Sequence, residues 1–245
     1  MKTVYPLTHL TYQSQGYELE GLILKPEGDG PFPAIVHIHG FNFIGAWDRI
    51  LIAVQLIQAG YAVFLPSQMG FAKSQGERDY CGPKTVQGVY DGVQEFLKES
   101  YVDKNNVGVW GISRGSNVAS MLISKFPKTF KSAILQSGMY DFRNILDTTL
   151  EADMANNMRN ESGNNDKAFD ERSAINYVHD VNCPVLLLHG QKDVTYNIDQ
   201  VKEYEKKLTE LNKEHEIVIL EEFGHMLRPS TRKEIVIPYF DKHLK

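Results

Sequence analysis

From residue 34 onward, short apolar runs alternate with segments whose apolar residues recur at helical spacing. Residues 34–39, 61–65, 107–112, 132–136, 185–188 and 216–220 are runs of the first kind, the mark of strands buried on both faces. Residues 50–57, 85–100, 114–126, 198–211 and 231–244 are of the second kind, and Gly60 is a natural stop for the first of them. Such alternation predicts a mostly parallel sheet with helices on both faces. Ahead of it, residues 8–13 and 17–24 read as two strands around Ser14-Gln15-Gly16, so eight strands are expected.

Residues 141–177 break this rhythm. They are polar, carry Asn156-Asn157 and Ser162-Gly163-Asn164-Asn165, and show no strand pattern. Leu146, Leu150, Met154 and Met158 are spaced by four and predict one amphipathic helix. The stretch reads as a cap insertion over one end of the sheet. Repeats and linkers are absent, so residues 1–245 are expected to form one domain with the cap inside it.

Composition narrows the function classes. The hydrophobic fraction of 42% is that of a globular chain, and no run approaches the ~18 apolar residues of a membrane span. The N-terminus lacks the apolar run of a signal peptide. A net charge of −5 argues against nucleic acid or an anionic membrane as partner. Two cysteines, Cys81 and Cys183, make no disulfide framework and fit a reducing, cytoplasmic setting.

The chemistry centres on Gly111-Ile112-Ser113-Arg114-Gly115, a G-x-S-x-G pattern between a strand and a helix. A nucleophile on so sharp a turn leaves no room for flanking side chains. The helix behind it offers N–H groups and a positive dipole end to developing negative charge. A serine hydroxyl needs a base. His225 lies in a loop after the 216–220 strand, at the carboxyl end of the sheet, where open α/β folds bind ligands. His39 and His189 compete with it, but both break the chain order serine, acid, histidine. Asp193, just past the 185–188 strand, is the expected acid. Asp199 falls on the next helix, and Asp180 at the wrong edge. The oxyanion is expected to meet the amides of Arg114 and Phe41. A metal pair at His37 and His39 lacks a third ligand, and no phosphate loop or dinucleotide fingerprint is visible, so no cofactor is expected.

Taken in order, His39-Gly40-Phe41, the serine motif, His189-Gly190-Gln191-Lys192-Asp193 and Gly224-His225 resemble the landmarks of the α/β-hydrolases. The stretch from Ser173-Ala174-Ile175-Asn176-Tyr177 to His189-Gly190 is similar to prolyl oligopeptidase catalytic domains. His-Gly-Phe also resembles bacterial cinnamoyl and feruloyl esterases. The resemblance implies a Ser113, Asp193 and His225 triad. Two departures stand out: Arg114-Gly115-Ser116 replaces the Tyr-Gly-Gly that often follows the serine, and the residues before 34 suffice only for edge strands rather than a propeller.

Phe41, Phe43, Trp47, Met139, Tyr140, Met154 and Met158 are expected to face the serine and form an apolar pocket. Arg114 and Arg143 are candidates to meet a carboxylate. The leading expectation is a serine esterase acting on small or medium carboxylic esters through an acyl-enzyme. A small aminopeptidase or acyl-peptide hydrolase is the alternative within enzymes, and a non-catalytic ligand-binding protein the alternative outside them. The expected partner is a small ester or short peptide, and assembly into homo-oligomers is compatible with all of this.

Overall fold

The computed structural model describes residues 5–148 and 152–245. The alternation becomes, in chain order, β1 (Leu7–Ser14), β2 (Tyr17–Leu24), β3 (Phe32–Ile38), α1 (Ile50–Gln58), β4 (Ala62–Pro66), α2 (Pro83–Phe96), β5 (Val102–Ile112), α3 (Arg114–Lys125) and β6 (Ser132–Gln136). Three short helices follow, α4 (Phe142–Thr148), α5 (Ala152–Ser162) and α6 (Asp166–Asp170). The chain ends with β7 (Val185–Gly190), α7 (Ile198–Glu210), β8 (His215–Leu220) and α8 (Pro229–Leu244). Short 3₁₀ turns cover Gly45–Arg49 and Ala174–Asp180.

The eight strands form one sheet in the order β1-β2-β4-β3-β5-β6-β7-β8. β1 pairs antiparallel with β2, and β2 with β4; the other pairs are parallel. Val36, Val109 and Leu187, from three parallel strands, are fully buried in the cluster under α2, α3 and α7. Ile35, Trp110 and Leu186 point the other way, onto the cluster under α1 and α8. Helices therefore cover both faces, which is why the central strands read as unbroken apolar runs.

The 141–177 stretch departs from expectation. It holds three short helices and the start of a 3₁₀ turn rather than one amphipathic helix. Of the four residues spaced by four, Leu150 lies outside the described residues. Met158 is fully buried, whereas Met154 is only partly covered.

Candidate active site

Four parallel strands end on one side of the sheet, and each delivers a loop to the same point. β5 ends at Ile112, and Ser113 follows with φ 54° and ψ −125° before α3 starts at Arg114. A non-glycine residue with this backbone stores strain of about 1–3 kcal/mol and persists only where its surroundings hold it. The Ser113 amide donates to the Gln136 carbonyl of β6 at 2.9 Å. A Cβ at Gly115 would lie 2.2 Å from the Ile38 carbonyl oxygen, so α3 approaches β3 closely only because that position is glycine.

The next two loops bring the expected base and acid to Ser113. His225 Nε2 lies 2.8 Å from Ser113 Oγ, and its Nδ1 lies 2.8 Å from Asp193 Oδ2. The Asp193 side chain is fully buried. Its second oxygen, Oδ1, accepts the amides of Thr195 at 2.9 Å and Tyr196 at 3.0 Å. With both oxygens engaged, the carboxylate is fixed in rotation and aims Oδ2 at the imidazole. The acid and base loops interlock through the backbone. A Cβ at Gly190 would sit 2.2 Å from the Gly224 carbonyl oxygen, and the Lys192 amide donates to the Phe223 carbonyl at 2.8 Å. From a third side, the Ser137 hydroxyl donates to the His225 carbonyl at 2.9 Å. Asp199, the alternative acid, is exposed in the first turn of α7, and Asp180 pairs with His179 at the surface.

His39 and His189 are packed in other roles. His39 donates from Nδ1 to the Gly40 carbonyl at 2.7 Å and accepts the Gln68 amide at Nε2. Burial, reinforced by nearby Arg49, Arg114 and Arg78, pushes its pKa down to about 3. His189 lies behind Asp193, with Nε2 3.0 Å from the Tyr196 carbonyl and 3.4 Å from Asp193 Oδ2; burial pushes its pKa down as well.

The loop after β3 carries Gly40 and Phe41 alongside the serine. An ideal Cβ on Gly40 would lie 3.7 Å from Ser113 Oγ, which measures how near the loop runs. Asn42 ties this loop. Its Oδ1 accepts the amides of Ile44 at 2.9 Å and Gly45 at 2.6 Å, while Nδ2 donates to the Gly40 carbonyl. The Arg114 amide opens α3, a position that has no intrahelical acceptor.

Ser113 and His225 open into a cavity of about 350 Å³. Gly40, Phe41, Met154, Tyr196 and Met226 are among its walls, so two of the expected pocket residues, Phe41 and Met154, line it. The other five do not. Met139, Tyr140 and Met158 are almost fully buried in the core under the cap. Tyr140 stacks on Tyr204 at 4.4 Å, and its hydroxyl meets Ser116. Phe43 and Trp47 are exposed on the surface outside the cavity, where Phe43 packs edge-on against Phe41. Of the two arginines expected to meet a carboxylate, Arg143 is already paired with Asp166 and Asp170 on the outside of the cap. The Arg114 side chain is 1% exposed. Its Nη2 lies 2.8 Å from Glu161 Oε2, close enough for an ion pair though not aligned as a hydrogen bond, and its Cζ stands 4.4 Å from the Tyr80 ring centre.

The Prolyl oligopeptidase family profile matches residues 50–244. The chain belongs to the prolyl oligopeptidase family. It is a serine hydrolase on an α/β-hydrolase fold. Among curated relatives, it is 24% identical to the uncharacterized peptidase YtmA of Bacillus subtilis, over 93% of this chain and 89% of that protein. It is 25% identical to the acylamino-acid-releasing enzyme of Homo sapiens, over 88% of this chain but 32% of that enzyme. The acylaminoacyl peptidase of Pyrococcus horikoshii superposes with a TM-score of 0.84 at 21% identity, over all of this chain and 42% of that one. The Pyrococcus furiosus esterase Pf2001 superposes with a TM-score of 0.78 at 18% identity, over 98% and 94% of the two chains.

Within this prolyl oligopeptidase-family site, several cavity residues escaped the sequence reading. Thr195, Tyr196 and Met226 adjoin Asp193 and His225, so adjacency was the available signal. Tyr80 comes from the loop after β4, another carboxyl-end loop, with φ 42°. Asp153 and Asn157 come from α5. Arg49 and Glu161 carried no signal, because a lone charged residue at a helix start or on a polar helix resembles any surface residue. Burial pushes both thiols up to about 12, which disfavours the thiolate form that a nucleophile needs.

Proposed function

We propose that this serine hydrolase cleaves short acylated amino acids or peptides by acyl transfer to Ser113. One observation carries the reading: the hydrogen-bonded chain from Ser113 through His225 to Asp193 opens into a cavity of about 350 Å³. Ser113 Oγ attacks the acyl carbon while His225 Nε2 takes its proton. Asp193 holds the imidazole in orientation and balances its positive charge. The oxyanion forms against the amides of Phe41 and Arg114. His225 then returns the proton to the leaving amine, and water repeats the sequence on the acyl-enzyme. Residues 141–177 act as a cap whose α5 closes one wall. Family membership supports an amide as the scissile bond. Ester hydrolysis is the second reading, favoured by the apolar side chains of Phe41, Ile112, Met154 and Met226 on the cavity wall.

The test compares kcat/KM for an acetyl-aminoacyl p-nitroanilide with that for the matched ester. Measurable anilide turnover that disappears in Ser113→Ala supports the peptidase. Turnover of the ester alone replaces it with the esterase, and turnover of neither substrate overturns both.

A further inference from the structure

Arg49 is a buried cation in the catalytic cavity with no catalytic duty. It closes the 3₁₀ turn Gly45–Arg49 beside the Phe41 loop and is 8% exposed, yet it forms part of the cavity wall. Among the described residues its one ionic partner is Asp48, with Nη2 2.5 Å from Oδ2, and Asp48 itself is exposed to solvent. Its Nε is buried without a hydrogen-bond partner. Burial lowers its pKa, and only Asp48 opposes this. A guanidinium so placed is under-compensated, because burying a charge is costly unless it is paired and its donors are used.

The other charged groups of the cavity do not offer the missing partner. Arg114 is committed to Glu161 and to the Tyr80 ring. Asp153, on α5, also borders the cavity but is exposed, and no ion pair joins it to Arg49 among the described residues. Arg49 and Ser113 line the same cavity of about 350 Å³, so one small molecule can present a charged group to the first and an acyl carbon to the second.

We infer that Arg49 forms an anion subsite that takes a free carboxylate of the substrate. The inference rests on the hydrolase reading above and adds a substrate class to it: short substrates bearing a carboxylate within reach of the scissile bond. Guanidinium and carboxylate match as planar forks and form charge-assisted bonds. The carboxylate has two sources, a diacid acyl group or the free carboxyl terminus of the leaving part.

Binding to Ser113→Ala, which removes turnover, tests this directly by calorimetry. Succinyl-alanine p-nitroanilide is compared with acetyl-alanine p-nitroanilide for the acyl source. Acetyl-alanyl-alanine is compared with its carboxyl-terminal amide for the leaving-group source. One of the two acids is expected to bind about ten- to a hundredfold more tightly than its neutral mate. Adding Arg49→Gln should erase that preference, Arg49→Lys should keep part of it, and rising salt should weaken the acid alone. Thermal melts confirm that the variants fold. Equal binding within both pairs, no binding of any probe, or a preference that survives Arg49→Gln overturns the subsite. Arg49-dependent binding of an acid that the wild-type protein never hydrolyses would instead keep the subsite and overturn the peptidase reading.

Discussion

At Ser113, function and stability pull in opposite directions. The residue stands at φ 54°, as a proposed nucleophile on a sharp turn would, and its Cβ carries the strain. Ser113→Ala removes the nucleophile but keeps the Cβ, so it should lower kcat by several orders of magnitude with little change in stability. Ser113→Gly should be as inactive, yet more stable than Ser113→Ala by about 1 kcal/mol, since strain relief exceeds glycine's added chain entropy. Urea melts of the two variants check this, and an alanine variant at least as stable would show that the turn is unstrained. Asp193→Asn should cost orders of magnitude in kcat, and Asp199→Asn almost nothing, because only Asp193 reaches His225. If the exposed Asp199 proves the more damaging site, the acid has been misassigned. That Ser113, His225 and Asp193 would meet was legible in the sequence, because chain order, strand ends and the glycine pattern each restrict them independently. Met139, Tyr140 and Met158 were not. Nearness to a strand end says that a residue is close to the site but not which way its side chain faces, and these three face the core.

Among the elements, the loop from Gly40 to Gly45 has the most exacting task. On the proposed mechanism it holds one backbone amide beside the serine, yet it has no secondary structure of its own before the Gly45–Arg49 turn. Asn42 supplies the rigidity through bonds to Gly40, Ile44 and Gly45. Asn42→Ala should therefore lower kcat by about ten- to a hundredfold while leaving KM nearly unchanged, because oxyanion contacts strengthen in the transition state. A rise in KM alone would mean that the loop binds substrate rather than the oxyanion. The cap separates two methionines that look equivalent in sequence. Met158→Ala should cost about 2–5 kcal/mol as a core truncation. Met154→Ser should instead change the preference among acyl groups with little loss of stability, since Met154 is half-buried on the cavity wall. Comparing melting temperature and kcat/KM across an acyl series distinguishes the two roles. Spacing by four identified both residues but could not show that the segment forms several short helices with different faces inward.

For the whole molecule, the number of strands and their mostly parallel character follow from buried apolar runs, whereas their spatial order does not. β4 lies between β2 and β3, and that crossing depends on pairing across the sheet rather than on any local pattern. The sheet also places His39 just past the end of β3, fully buried, among three arginines, and this couples global stability to pH. In the folded protein the ring stays neutral down to about 3, because burial and then Arg49, Arg114 and Arg78 oppose its charging, with only the Gly40 carbonyl favouring it. In the unfolded chain it takes a proton near its ordinary value of about 6.5. Above that value both states are neutral and the group contributes no pH dependence. Between the two values the unfolded state binds one proton more, so stability falls as pH falls, by about 1.4 kcal/mol per unit. His189, also lowered by burial, acts in the same direction. Going from pH 7 to pH 5 should thus remove about 2 kcal/mol through His39 alone. His39→Gln should start less stable, because it disturbs the bonds to Gly40 and Gln68, but its stability should fall less steeply over the same range. Urea melts of both proteins at pH 7, 6 and 5 measure the difference in slope directly. Carboxylates that titrate in both proteins cancel in that difference, so parallel slopes would mean that His39 does not hold off its proton in the fold.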